Sequence, residues 1–96
     1  MNSKENPEDF YKRFQQQLEN SQKWPGMYMF KFILKSNSKN IYKIMDLFNN
    51  PTNGVSLVNS SKNKFQSLTI TIVMRSPIEV IDIYKKVFDF EGVIIL

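Results

Sequence analysis

The sequence predicts an α+β fold: a ferredoxin-like βαββαβ two-layer sandwich with an antiparallel sheet and an extra helix in front of it. Three observations predict it. Residues 65–74 alternate apolar and polar as a strand does, Ser76-Pro77-Ile78-Glu79 has the chemistry of a helix start, and Gly92 leads into the apolar run Val93-Ile94-Ile95-Leu96. Joined to a strand and helix upstream, this ββαβ unit completes the motif. Right-handed β-α-β crossovers then give the strand order 4-1-3-2, with both core helices on one face.

The first segment reads as an added helix. Asn6 suits a cap, Pro7 the first helical position, and Glu8 and Asp9 the positive end of the helix dipole. Phe10, Phe14 and Leu18 recur at a spacing of four, a narrow apolar stripe that persists only if it docks on something. Trp24-Pro25-Gly26 breaks the helix, so residues 1–22 read as a helical extension and residues 23–96 as the sandwich domain.

Met27 to Lys35 is the first strand, with Tyr28, Phe30, Phe32 and Leu34 toward the helices and Met29, Lys31, Ile33 and Lys35 on the other face. Ser36-Asn37-Ser38 supplies a turn and a helix cap. Ile41, Ile44, Met45 and Phe48 then form a one-sided helical stripe that ends near Asn49-Asn50-Pro51. Val55 to Asn59 is a short strand, and Ser60 to Lys64 a polar hairpin turn. In the strand from Phe65 to Met74, Leu68, Ile70, Ile72 and Met74 share one face and Ser67, Thr69, Thr71 and Val73 the other. Ser76 and Glu79 form a capping box, and Val80, Ile81, Tyr84, Val87 and Phe88 supply the buried stripe of a helix reaching about Phe88. The unbroken apolar run 93–96 predicts a strand buried, at least in part, on both faces.

Composition bounds the chemistry. Ninety-six residues, 42% apolar and 14% aromatic, suffice for one core, although domains of this size bury only about 60% of their unfolded surface. Cysteine and histidine are both absent. That argues against disulfides, ordinary zinc, copper or haem sites, and Ser-His or Cys-His nucleophile pairs; no cofactor and no catalytic residue is expected. No apolar run approaches the roughly 20 residues of a membrane span, and residues 1–20 are too polar for a secretory signal. A soluble cytoplasmic protein is the expectation.

Charge is unevenly placed. Four cations and four anions balance in residues 1–26, so the net charge of +4 lies beyond Gly26, concentrated at Lys31, Lys35, Lys39 and Lys43. Such a cluster attracts nucleic acid or an acidic metabolite, but it is also an ordinary solvated face. With two arginines only, bidentate phosphate recognition is disfavoured.

The sheet face turned away from the helices carries Met29, Lys31, Ile33, Ser56, Val58, Ser67, Thr69, Thr71 and Val73, with one alternating set from the last strand. So broad and half-apolar a surface is usually covered or used. Residues 7–20 folding back, a second subunit, or both would cover it. Met29, Ile33, Thr69 and Thr71 are therefore the candidate partner-binding positions, together with Lys62 and Lys64 on the hairpin tip, which also reads as a plain soluble turn.

Trp24-Pro25-Gly26 before the first strand, the Ser60-Ser61-Lys62-Asn63-Lys64-Phe65-Gln66-Ser67-Leu68-Thr69-Ile70 hairpin, and the stretch from Ile83-Tyr84 to Glu91-Gly92-Val93 resemble the YbeD-like family of bacterial proteins of unknown function. The resemblance spans about residues 22–96. Asn63 and Phe65 stand where the family's turn carries glycine and tyrosine, and asparagine tolerates the left-handed backbone such a turn needs. The family is similar in fold to ACT-like regulatory domains, which bind amino acids and pair through their sheets or helices. What the resemblance implies is a small anionic ligand near the loop after the first strand, at Lys35, Ser36, Asn37 and Ser38. Ser38 also reads simply as a helix cap.

The expected function is a small regulatory or protein-interaction module, sensing a ligand in ACT-like fashion and pairing as a homodimer or with another protein. A single-stranded nucleic-acid-binding domain of RNA-recognition topology is the alternative. It needs aromatics on the open face of strands one and three, where this chain places Lys31, Ile33, Thr69 and Thr71. Acylphosphatase-like catalysis, also known on this topology, needs an arginine-bearing anion loop that is missing here; an enzyme is not expected.

Overall fold

The computed structural model of the chain describes residues 6–60 and 62–96. The elements follow in the order α1 (Pro7–Ser21), β1 (Gly26–Lys35), α2 (Asn40–Leu47), β2 (Val55–Asn59), β3 (Phe65–Met74), α3 (Pro77–Val87) and β4 (Ile94–Ile95). The four strands form one antiparallel sheet in the order β2-β3-β1-β4, which is the expected 4-1-3-2 read from the other edge. With three helices this is an α+β architecture, broadly ferredoxin-like. Among the described residues no helix is long and apolar enough to cross a membrane.

Local chemistry sets the element boundaries. The Asn6 side chain accepts the Asp9 amide at 2.9 Å, and Ser76 Oγ accepts the Glu79 amide at 3.3 Å, each with proline at the next position. Glu79 reaches back to the Arg75 amide rather than that of Ser76, one residue beyond a standard capping box. Helix α2 ends in two left-handed asparagines, Asn49 and Asn50, before Pro51. At Gly54 the positive φ of 75° and the Thr71 carbonyl, which an added Cβ would strike, both require glycine, and Gly54 O accepts the Thr71 amide that anchors β2 to β3.

The alternation places the core as expected. Phe30, Phe32 and Leu34 of β1 and Leu68, Ile70 and Met74 of β3 are buried together with Ile44, Phe48, Val80, Ile81, Tyr84 and Val87. Phe30 lies at the centre, its ring 4.8 Å from Phe48 and 5.3 Å from Tyr84, so one β1 side chain joins both core helices. Burying side chains of this size stabilises by about 1.5–3 kcal/mol each.

Three expectations are corrected. Phe88 is not in the buried stripe: α3 ends at Val87, the chain turns at Phe88, and its ring is 58% exposed while Ile83 is buried instead. The closing strand is two residues long rather than four, pairing only Phe32↔Ile95 and Ile33↔Ile94. It is not buried on both faces, for Ile95 packs on the core but Ile94 points away and is 56% exposed.

Helix α1 does not fold back over the open face. It packs on α3, with the Phe14 ring 5.7 Å from that of Tyr84 and Leu18 buried, and the Trp24 indole donates to Leu18 O at 2.9 Å. It thus extends the helical layer. Among the described residues nothing covers the opposite sheet face.

Candidate functional site

The loop after β1 is held from within the fold. Lys64 O accepts the Ser36 amide, Gln66 Oε1 the Asn37 amide and Lys35 O the Ser38 amide, at 3.0–3.1 Å, while Asn37 takes a left-handed φ of 64°. Ser38 Oγ accepts the Asn40 amide at 3.1 Å and so caps α2 from one residue before its formal cap, Lys39. Four amides of the loop and first turn are therefore already paired. The Ser36 hydroxyl is the exception, buried and without a hydrogen-bond partner among the described residues. Lys35 lies on the outward face of β1, exposed.

The hairpin tip is a self-contained turn. Ser60 pairs with Phe65 through the backbone and accepts the Lys64 and Phe65 amides on Oγ, and Asn63 takes the left-handed conformation expected of it, with φ 55°. Lys62 and Lys64 are exposed. Ser61 lies outside the described residues.

The open sheet face is the most extensive of the candidate surfaces. Register places Met27 opposite Val73, Met29 opposite Thr71, Lys31 opposite Thr69, and Ile33 between Ser67 and Ile94, with Ser56 and Val58 beside Thr69 and Ser67. Met29, Ile33, Thr69 and Thr71 thus meet on one surface, which approaches Lys35–Ser38 only at the end where Lys35 pairs with Phe65. Met27, Met29, Val58, Val73 and Ile94 are all more than half exposed. Sequence reasoning passed over Met27 and Phe65 as members of this face, and left open which alternating set of the last strand joins it. Continuing the alternation by one step in each strand finds both; Ile94 depends on the pairing register of β4.

Electrostatically the face is one-sided. Lys31 sits on β1, an inner strand, and Lys35 at its end, and the strand residues paired on that face carry no carboxylate side chain. The aromatics that stack bases in RNA-recognition domains have no counterpart at the strand centres: Phe30 and Phe32 are fully buried, and Phe65 lies at the hairpin end. Also among the described residues, no group of three or more Asp, Glu, His or Cys could hold a metal ion.

A small α+β domain with one bare, half-apolar sheet face carrying lysines is what fold and surface define. The chain belongs to the family described as protein of unknown function DUF493, the YbeD family, whose model matches residues 19–96. The first three turns of α1 lie outside the match. No curated protein and no solved structure matches the chain significantly.

Proposed function

We propose that this chain is a non-enzymatic, cytoplasmic protein-interaction module of ferredoxin-like, ACT-like architecture, and that its open sheet face receives another protein presenting apolar side chains around a carboxylate. The observation that carries this reading is Lys31. It stands between Met29 and Ile33 along β1 and opposite Thr69, on a face that α1 leaves bare, and the paired strand residues on that face carry no carboxylate side chain. The strands β1 to β4 hold 10, 5, 10 and 2 residues; at about 3.3 Å per residue and about 4.8 Å between strands they make a face of roughly 430 Å², or roughly 860 Å² when both partners are counted. That is the size of a weak or transient contact.

Charge selects the partner. A second copy would bring two unneutralised ammonium groups into one apolar contact, which costs several kcal/mol. A partner carboxylate opposite Lys31 removes that cost, and adaptable methionines suit a contact that must mould to a different surface. The inward-facing positions of Phe30 and Phe32 support this reading over single-stranded nucleic-acid binding.

The purified chain tests the idea. Light scattering is expected to give a monomer at tens of micromolar, and Lys31→Leu, which makes the face self-complementary, a concentration-dependent dimer. A photo-crosslinking side chain at Thr71 is expected to trap a different protein in cells, and Lys31→Glu to abolish that adduct. A wild-type dimer dissociated by Met29→Asp, or an adduct unchanged by Lys31→Glu, would sink the proposal.

A further inference from the structure

On the opposite side of the molecule, α1, α3, β1 and the β4 segment enclose a groove of about 470 Å³. Its walls include Phe10 and Phe14 from α1, Tyr28 from β1, Tyr84 and Phe88 from the α3 end, and Ile95 from β4. The rings form a continuous ladder: Phe10 to Phe14 at 6.0 Å, Phe14 to Tyr84 at 5.7 Å, Tyr84 to Tyr28 at 6.4 Å. The polar groups on this wall are phenolic hydroxyls, and two of them, on Tyr28 and Tyr84, are hydrogen-bonded to each other at 3.0 Å. No Lys, Arg, Asp or Glu lines the groove, on a chain that carries thirteen cations and nine anions.

We infer that this groove is a binding site for a small, uncharged aromatic molecule bearing one hydroxyl or carbonyl group. Its volume lies within the roughly 300–1,000 Å³ of small-molecule sites, and its plan, apolar walls with a few convergent polar groups, is theirs as well. A hydroxyl pair uses one proton internally, so the second proton and the remaining lone pairs are left for a ligand. Aromatic walls favour a flat ring in offset or edge contact. Lys85 and Arg13 lie over the Tyr11 and Phe10 rings, at 4.8 and 5.7 Å, but are not among the lining residues, so the lining itself discriminates against carboxylates and phosphates, whose desolvation its walls do not offset. Because Phe10 and Phe14 belong to the part of α1 outside the family match, this site is a feature of this chain rather than of the family core. It is independent of the sheet face and stands or falls separately from it.

The test uses the full chain, labelled with ¹⁵N, and three probes: 1-naphthol, naphthalene and 1-naphthoate. Naphthol is expected to bind saturably, shifting amides of Phe10, Phe14 and Phe88, and to bind about five- to tenfold tighter than naphthalene, the effect of one hydrogen bond. Naphthoate is expected at least tenfold weaker. Tyr28→Phe combined with Tyr84→Phe removes both hydroxyls without orphaning either, and is expected to erase the preference for naphthol while naphthalene still binds. Phe88→Glu, at an exposed position that folding tolerates, is expected to weaken both neutral probes at least tenfold. The inference is overturned by no saturable shift at millimolar naphthol, by shifts confined to the sheet face, by naphthoate binding as well as naphthol, or by a naphthol preference that survives loss of both hydroxyls.

Discussion

Replacing Tyr84 by phenylalanine removes a hydroxyl whose ionisation the fold suppresses. Burial first, and then the hydrogen bond and charge interaction with Tyr28, push the Tyr84 phenol well above the ordinary tyrosine range. Its folded pKa thus exceeds its unfolded value of about 10. Below pH 10 both states hold the proton and the stability it confers is intact. Above pH 10 the unfolded chain releases a proton that the folded chain keeps, so stability falls by about 1.4 kcal/mol for each further pH unit. The loss is about 1.4 kcal/mol at pH 11 and about 2.7 kcal/mol at pH 12. Tyr84→Phe is free of this slope but loses the 3.0 Å bond to Tyr28, at a cost of about 1 kcal/mol at neutral pH. Its stability curve should therefore cross that of the wild type near pH 11, a consequence of setting the two magnitudes equal. Urea unfolding of both proteins between pH 8 and 12, with proton release on unfolding measured at the alkaline end, checks this. Parallel curves with equal proton release would refute the argument.

Two further expectations concern the fold. Ile70→Ala empties a site of zero exposure on the central strand and should cost about 2–5 kcal/mol, whereas Thr71→Ala, one residue along on the open face, should stay within about 0.5 kcal/mol in the same urea titration. Ser76→Ala removes the hydroxyl that caps α3 and should lower stability by about 1 kcal/mol. Ser76→Asp, which keeps an acceptor at the helix start, should restore most of it; failure of that rescue would show that the hydroxyl acts otherwise than as a cap.

Phe30, Leu68 and Ile70 were legible as core because a strand repeats every two residues: once one of them faces inward, its neighbours at i±2 must follow. Asn6 and Ser76 were legible for a similar reason, since caps are decided within a few residues of chain. Phe88 and Ile83 were exchanged because a helical stripe is only as good as the helix end, and α3 stops one residue before the stripe's last member. The partner-binding positions were legible as a face but not as an interface. Alternation puts Met29, Ile33, Thr69 and Thr71 on one side; it does not say whether anything lies over them.

The order of strands, the inward aromatics of β1 and the bare chemistry of a chain without cysteine or histidine were determined by the sequence itself, because each depends on local pattern, chain handedness or composition. Tertiary structure alone decided that α1 lies on α3 and leaves the sheet uncovered, that Ile94 faces outward, and that Tyr28 and Tyr84, 56 residues apart, bring their hydroxyls together in one groove. The physical reason is that these depend on which of several apolar surfaces buries against which. That choice is a competition between packings of nearly equal area, and no short-range pattern records its outcome.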